Sequence, residues 1–173
     1  MHRKVPRIAL DKVRSDSPAD RRKAVATFGD ALRREGAARI LPTEGVAVDP
    51  RSLHAVGREL LELLDEYFGL EGRGLSSGLA PEGAADAHDQ QRRLLELCVV
   101  SGKSSHEIRS DEGWIELSAR PGEWIAIPGP ALEVLTGGVV LAVESRELGD
   151  GYGLPFALAA RTDVELHPLP GFS

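Results

Sequence analysis

The sequence predicts a mainly-β fold with N-terminal helices, an α+β chain whose core is a sandwich or jelly roll. Three observations lead there. Helical periodicity with start and stop signals is confined to the first 70 residues. From Leu94 onward the apolar residues fall in short runs separated by Gly, Pro and Ser. The 173 residues, 42% hydrophobic and 28% charged, suit one folded domain rather than a disordered chain. Residues 1–173 are therefore read as a single domain, with a cap over 1–70 and a jelly-roll core over 88–173.

Taken in order, residues 5–10 read as a short first strand. Ser17-Pro18 supplies an N-cap and a proline at the first helical position. Asp20 then sits where a negative charge suits the helix dipole. Val25, Phe28 and Leu32 follow at helical spacing, and Gly36 is the stop. Residues 38–41 read as a strand, followed by a turn at 42–45. Asp49-Pro50 opens a second helix by the same logic. Its buried stripe is Leu53, Val56, Leu60, Leu64 and Tyr67, widened by Leu61, Leu63 and Phe68, and Gly69 closes it. Residues 69–87 are rich in Gly, Ser, Ala and Pro and read as loop. Six strands are then expected, over 94–100, 114–117, 124–127, 139–143, 154–159 and 164–166. Helices precede strands, so the helices should pack outside an antiparallel core.

Composition excludes several classes of function. Net charge is −6 and the basic residues are scattered, which argues against nucleic acid or an anionic membrane as partner. The single cysteine, Cys98, lies in an apolar run and reads as a small buried hydrophobe. No segment approaches the ~20 apolar residues that span a bilayer. The basic N-terminus lacks the apolar run of a signal peptide, so a cytoplasmic location is expected. Arginine outnumbers lysine, and Ala and Gly abound, as in high-GC bacteria.

Several phrases resemble one family in order. Val5-Pro6-Arg7-Ile8-Ala9-Leu10 is similar to an opening I-P-x-I-D-L strand, and the "ALRREGAARI" of residues 31–40 to a following helix-to-strand step. Glu44-Gly45-Val46 stands where that family has H-G-V. Gly113-Trp114-Ile115 with Arg120-Pro121-Gly122 resembles G-x-W-I … x-P-G. Gly129 falls in the place of N-I-G-D, and Leu135-Thr136-Gly137-Gly138 resembles (W/L)-(S/T)-N-G. Tyr152-Gly153-Leu154-Pro155-Phe156 resembles R-Y-S-(I/L)-P-F-F, and Leu169-Pro170-Gly171 the usual close. These belong to the isopenicillin N synthase-like branch of the iron- and 2-oxoglutarate-dependent oxygenases. The resemblance implies a distorted double-stranded β-helix, cupin-like and truncated. Family members run far longer, and several helices and a strand would sit between residues 70 and 80.

The resemblance also implies where iron would be held. The family uses His-x-Asp and a distant His, a facial triad with open positions for 2-oxoglutarate and oxygen. Registered through Trp114, His88 falls on the first histidine, Gln90 on the aspartate and Ser145 on the second histidine, just before Arg146. The Arg and Ser that clamp the co-substrate carboxylate fall on Gly151 and Gly153. A neutral amide and a hydroxyl are poor ligands for Fe(II), and glycine has no side chain to clamp with. No metal and no cofactor is therefore expected, with His88 left as the candidate catalytic group in a pocket of His88, Gln90 and Ser145.

Other ligand sets remain open, built from Asp86, His88, His106, Glu107 or Glu144. His2, His54 and His167 read as a tail, a helix face and a C-terminal loop. Ser104-Ser105-His106-Glu107 reads as a polar loop entering a strand, since adjacency in sequence does not make a triad. Trp114 and Trp124 read as core or rim packing. Three functions stay in play: a non-oxidative enzyme cyclising, eliminating or isomerising a small biosynthetic intermediate; a non-catalytic pseudoenzyme binding a ligand or partner protein; and an oxygenase with altered metal ligands. The shortened barrel should expose sheet edge and apolar surface, which predicts a homodimer or a partner protein covering it.

Overall fold

Two capped helices organise the N-terminal half. The structure, a computed structural model, describes residues 2–71, 74–83, 89–102, 104–149 and 155–172. Short strands β1 (His2–Arg3) and β2 (Arg7–Ala9) lead into one turn of helix, α1 (Leu10–Val13). In α2 (Pro18–Asp30) the Ser17 hydroxyl accepts from the Asp20 amide as anticipated, and the helix runs on through a π-helical turn (Ala31–Glu35). Gly36, at φ 78°, ends it in the left-handed conformation that favours glycine. Strand β3 (Ala38–Leu41) follows. In α3 (Pro50–Phe68), Asp49 accepts from the Ser52 amide at 2.8 Å, and Gly69, at φ 68°, is the stop. The two helices lie together. The Tyr67 ring covers Gly29, leaving no room there for a side chain, and its hydroxyl donates to Asp30 at 2.7 Å.

The C-terminal half supplies β4 (Arg93–Val99), β5 (Ser104–Ser110), β6 (Gly113–Leu117), β7 (Trp124–Pro128), α4 (Pro130–Leu135), β8 (Ser145–Gly149) and β9 (Phe156–Ala159). The strands form two sheets, ordered β2-β3-β7-β4-β9 and β1-β6-β5-β8. β4 pairs antiparallel with both β7 and β9, and β5 with both β6 and β8. Because side chains alternate across a strand, the five-stranded sheet serves two cores. Leu95, Leu97, Trp124 and Ala126 face the helices, against Phe28, Leu60 and Leu64. Cys98, Val100, Ile125 and Ile127 face the smaller sheet and meet its Ile108, Ile115 and Leu117. This is the expected mainly-β jelly roll with helices outside.

Several local expectations are corrected. Residues 139–143 are not a strand. They follow the unanticipated α4 through Gly137 and Gly138, both at positive φ. Thr136 holds that turn, accepting from the Val140 amide at 3.2 Å while donating to the Leu132 carbonyl. Val139 and Leu141 are exposed there, so their apolarity marks surface and not sheet. Residues 164–166 are not a strand either: Val164 is a bend after the turn at 162–163, and Arg92 donates to its carbonyl at 2.7 Å. Residues 104–107, anticipated as a polar loop entering a strand, already belong to the strand Ser104–Ser110. Within 74–83 the chain is more than loop. The Asp65 carboxylate accepts from the amides of Leu75 and Ser76, Leu75 and Leu79 are buried in the helix-side core, and Ala80 is buried beside them in sequence. Among the described residues no helix is long and apolar enough to cross a membrane.

Candidate functional site

The space between the sheets is apolar at one end and polar at the other. On β4, Glu96 shares a face with Cys98 and is the one acidic residue in an otherwise apolar run. Opposite it, the antiparallel pairing of β5 with β8 sets His106 beside Glu147 and Ile108 beside Ser145. Glu96, Cys98, His106, Ser145 and Glu147 thus line a recess of about 180 Å³. Glu96, Ser145 and Pro155 also belong to an outer cavity of about 720 Å³, to which Gln90, Arg93, Arg109 and Glu144 contribute. Gly129 keeps the mouth tight: its amide donates to the Leu94 carbonyl at 2.9 Å, and any side chain on it would overlap the Arg93 backbone.

The charges here are unevenly matched. Glu96 is ion-paired with Arg93, and the exposed Glu144 lies 3.9 Å from Arg109. Glu147 Oε1 and His106 Nε2 are buried with no hydrogen-bond partner among the described residues, as is Arg93 Nε. His106 is only 5% exposed. Burial pushes its pKa below the ordinary histidine value, against the opposing pull of Glu147 and Glu96. The Cys98 thiol sits 3.5 Å from Glu96 Oε1, and burial pushes its pKa up, so it stays protonated and is no nucleophile.

No protein-family model matches the chain. It is 29% identical over 138 residues to oxoglutarate-dependent flavonoid 7-O-demethylase 1 of Ocimum basilicum, which covers 78% of this chain and 35% of that protein. The chain is related to the iron- and 2-oxoglutarate-dependent oxygenases. Solved structures agree on the fold. A putative 2OG-Fe(II) oxygenase family protein from Caulobacter crescentus superposes with a TM-score of 0.55 at 21% identity, over 69% of this chain and 48% of that one. The dioxygenase for auxin oxidation 1 of Arabidopsis thaliana, with 2-oxoglutarate bound, gives 0.68 at 12% identity, over 98% and 99%. The chain spans about a third of the curated relative's length and about half of the Caulobacter structure.

Against the oxygenases, the inferred site residues fall as follows. Gln90 opens a single helical turn (Gln90–Arg92) just before β4, Ser145 is the first residue of β8, and both line the outer cavity. His88, Asp86, Gly151 and Gly153 lie outside the described residues. His106 points between the sheets, whereas Glu107 next to it points away and pairs with Arg146 at 2.6 Å. His106, Glu107 and Glu144 are therefore not brought together as ligands. Among the described residues no group of three His, Cys, Asp or Glu side chains is placed to hold a metal ion. An amide and a hydroxyl are what the described part of the cavity offers at the implied positions, and these donors do not fit iron. Trp124 is buried in the helix-side core, and Trp114 lies on the outer face of the smaller sheet with Arg146 4.0 Å from its ring centre. His54 donates through Nε2 to the Ala80 carbonyl at 2.8 Å, pinning the 74–83 segment to α3.

Sequence reasoning missed Arg93, Glu96 and Glu147. A usable signal existed for Glu96, a glutamate inside the apolar run Leu94-Leu95-Glu96-Leu97-Cys98-Val99-Val100, since an acidic residue is seldom buried without a purpose or a partner.

Proposed function

We propose that this oxygenase-like chain works without iron, holding a small molecule at the open end of its barrel and acting on it by proton movement rather than oxidation. One observation carries the reading. Gln90 and Ser145, far apart in sequence and registered by resemblance onto two iron-ligand positions, line the same outer cavity. Cyclisation, elimination and isomerisation require proton donors and acceptors rather than an oxidant. The ionisable groups behind the cavity, Glu96, His106 and Glu147, are of that kind. On this reading the chain is a shortened oxygenase whose metal triad and co-substrate clamp have been lost.

Elemental analysis and a succinate-release assay on the purified protein test it. The reading expects iron well below one equivalent and no succinate from 2-oxoglutarate. Iron near one equivalent together with succinate would overturn it and favour an oxygenase with altered ligands. Ligand binding with no turnover of any bound molecule would move the protein to the non-catalytic class.

A further inference from the structure

We infer that the inner recess is an ammonium pocket, which takes the amino group of a small molecule with Glu147 Oε1 and His106 Nε2 as acceptors. This rests on the reading that the cavity holds a small molecule, but not on the reaction that follows.

The argument is one of unmatched groups. Three carboxylates line the recess and the cavity outside it. Glu96 has Arg93 and Glu144 has Arg109. Glu147 has no ion pair among the described residues, and its Oε1 is buried without a hydrogen-bond donor. Beside it, across the β5–β8 pair, stands His106, more than nine-tenths buried with Nε2 also unpartnered. Burial disfavours the imidazolium, so near neutral pH the ring is neutral and Nε2 can offer a lone pair. Arg146 also lines the recess, but its guanidinium is taken up outside by Glu107 and the Trp114 ring. The recess therefore presents two acceptors and, in Glu147, a carboxylate with no ion pair among the described residues. An ammonium group carries three donors, no acceptor and one positive charge. A hydroxyl or water could meet the hydrogen bonds but would leave the charge unmatched. A carboxylate would face Glu147 and Glu96, and a metal ion lacks a third convergent ligand among the described residues. Size sets the rest: about 180 Å³ seats an amino group and its first carbons, and the remainder of the molecule lies in the 720 Å³ cavity.

The test titrates the full chain with three probes of one size, n-butylammonium, n-butanol and butyrate, read by amide chemical shifts at pH 7.5. Butylammonium is expected to give saturable shifts at Cys98, His106 and Glu147, and the other two probes none. Glu147→Gln should weaken butylammonium at least about tenfold, the scale of a lost charge-assisted hydrogen bond, while Glu165→Gln, at an exposed carboxylate that lines neither space, leaves it unchanged. Should Glu147→Gln fail to fold, discrimination among the three probes by the parent protein still decides. Failure of butylammonium to saturate, or equal binding to Glu147→Gln, overturns the assignment. So does Zn²⁺ shifting the same amides where butylammonium does not. Butanol or butyrate saturating the cavity while butylammonium does not would sink the ammonium pocket alone. Iron with succinate release would instead sink the reading beneath it.

Discussion

Glu123 and Arg39 show how this protein tolerates buried charge when every atom but one is matched. Arg39 donates through Nε to the Val5 carbonyl at 2.9 Å and lies 3.5 Å from Glu123. Glu123 accepts in turn from the Arg120 amide at 2.7 Å. Removing one partner leaves the other buried and uncompensated, so Glu123→Ala should cost about 3–5 kcal/mol in urea unfolding. His106 makes the opposite case, a buried group left unmatched. Its folded pKa lies below the ordinary 6.5, so around and below that value the unfolded chain binds more protons. Its contribution therefore favours folding less as pH falls through 6.5 toward the lower folded value. Urea midpoints at pH 8 and pH 5.5 should drop more for the parent than for His106→Leu; equal drops would place the pH dependence elsewhere, with Glu96, Cys98 and Glu147 the other ionisable groups facing the ring. Neither residue's environment was legible beforehand. Composition marks His106 as polar, but only the pairing of β5 with β8 puts it next to Glu147.

Elements were legible where local signals and burial agree. Ser17-Pro18 and Asp49-Pro50 locate both long helices because the cap and the first-turn proline act within four residues. Asp49→Ala should accordingly lose about 1 kcal/mol, measured by thermal or urea unfolding. β5 and β8 escaped because their outward positions are charged, with Glu107 on Arg146, and β8 lies at a sheet edge. Apolar runs alone are the wrong guide for such strands. The converse error, a strand assigned to 139–143, came from an apolar run in which the Gly137-Gly138 turn leaves Val139 and Leu141 at the surface while Val140 is buried. Gly129 belongs to this scale too. Gly129→Ala must push α4 away from the start of β4, so it should lower stability and disturb the amide shifts of Arg93 and Leu94 together. A silent substitution would show that the mouth is not held by that close approach.

At the scale of the molecule, the two-sheet fold was legible from the change of period at Leu94 and from the resemblance, whereas the contents of the cavity were not. The resemblance named positions, and the fold brings Gln90 and Ser145 to one cavity, but the groups behind them come from the inward faces of three strands. The surface carries a further expectation. Val134, Val139 and Leu141, from α4 and the turn after it, are exposed, and β8 is an edge strand among the described residues. A two-fold dimer would cover such a patch on both copies. Light scattering behind size exclusion should give twice 18.6 kDa; a clean monomer at micromolar concentration would show that no second copy is needed.

The central claim is that the cavity lined by Gln90 and Ser145 is an oxygenase metal site emptied by substitution. Restoring the implied ligands tests it most directly. Titration calorimetry with Ni(II) on Gln90→Asp/Ser145→His, beside the parent, should give a site of about one equivalent with measurably higher affinity. No gain over the parent would contradict the account, because the two positions would then not converge as the iron ligands of an oxygenase do.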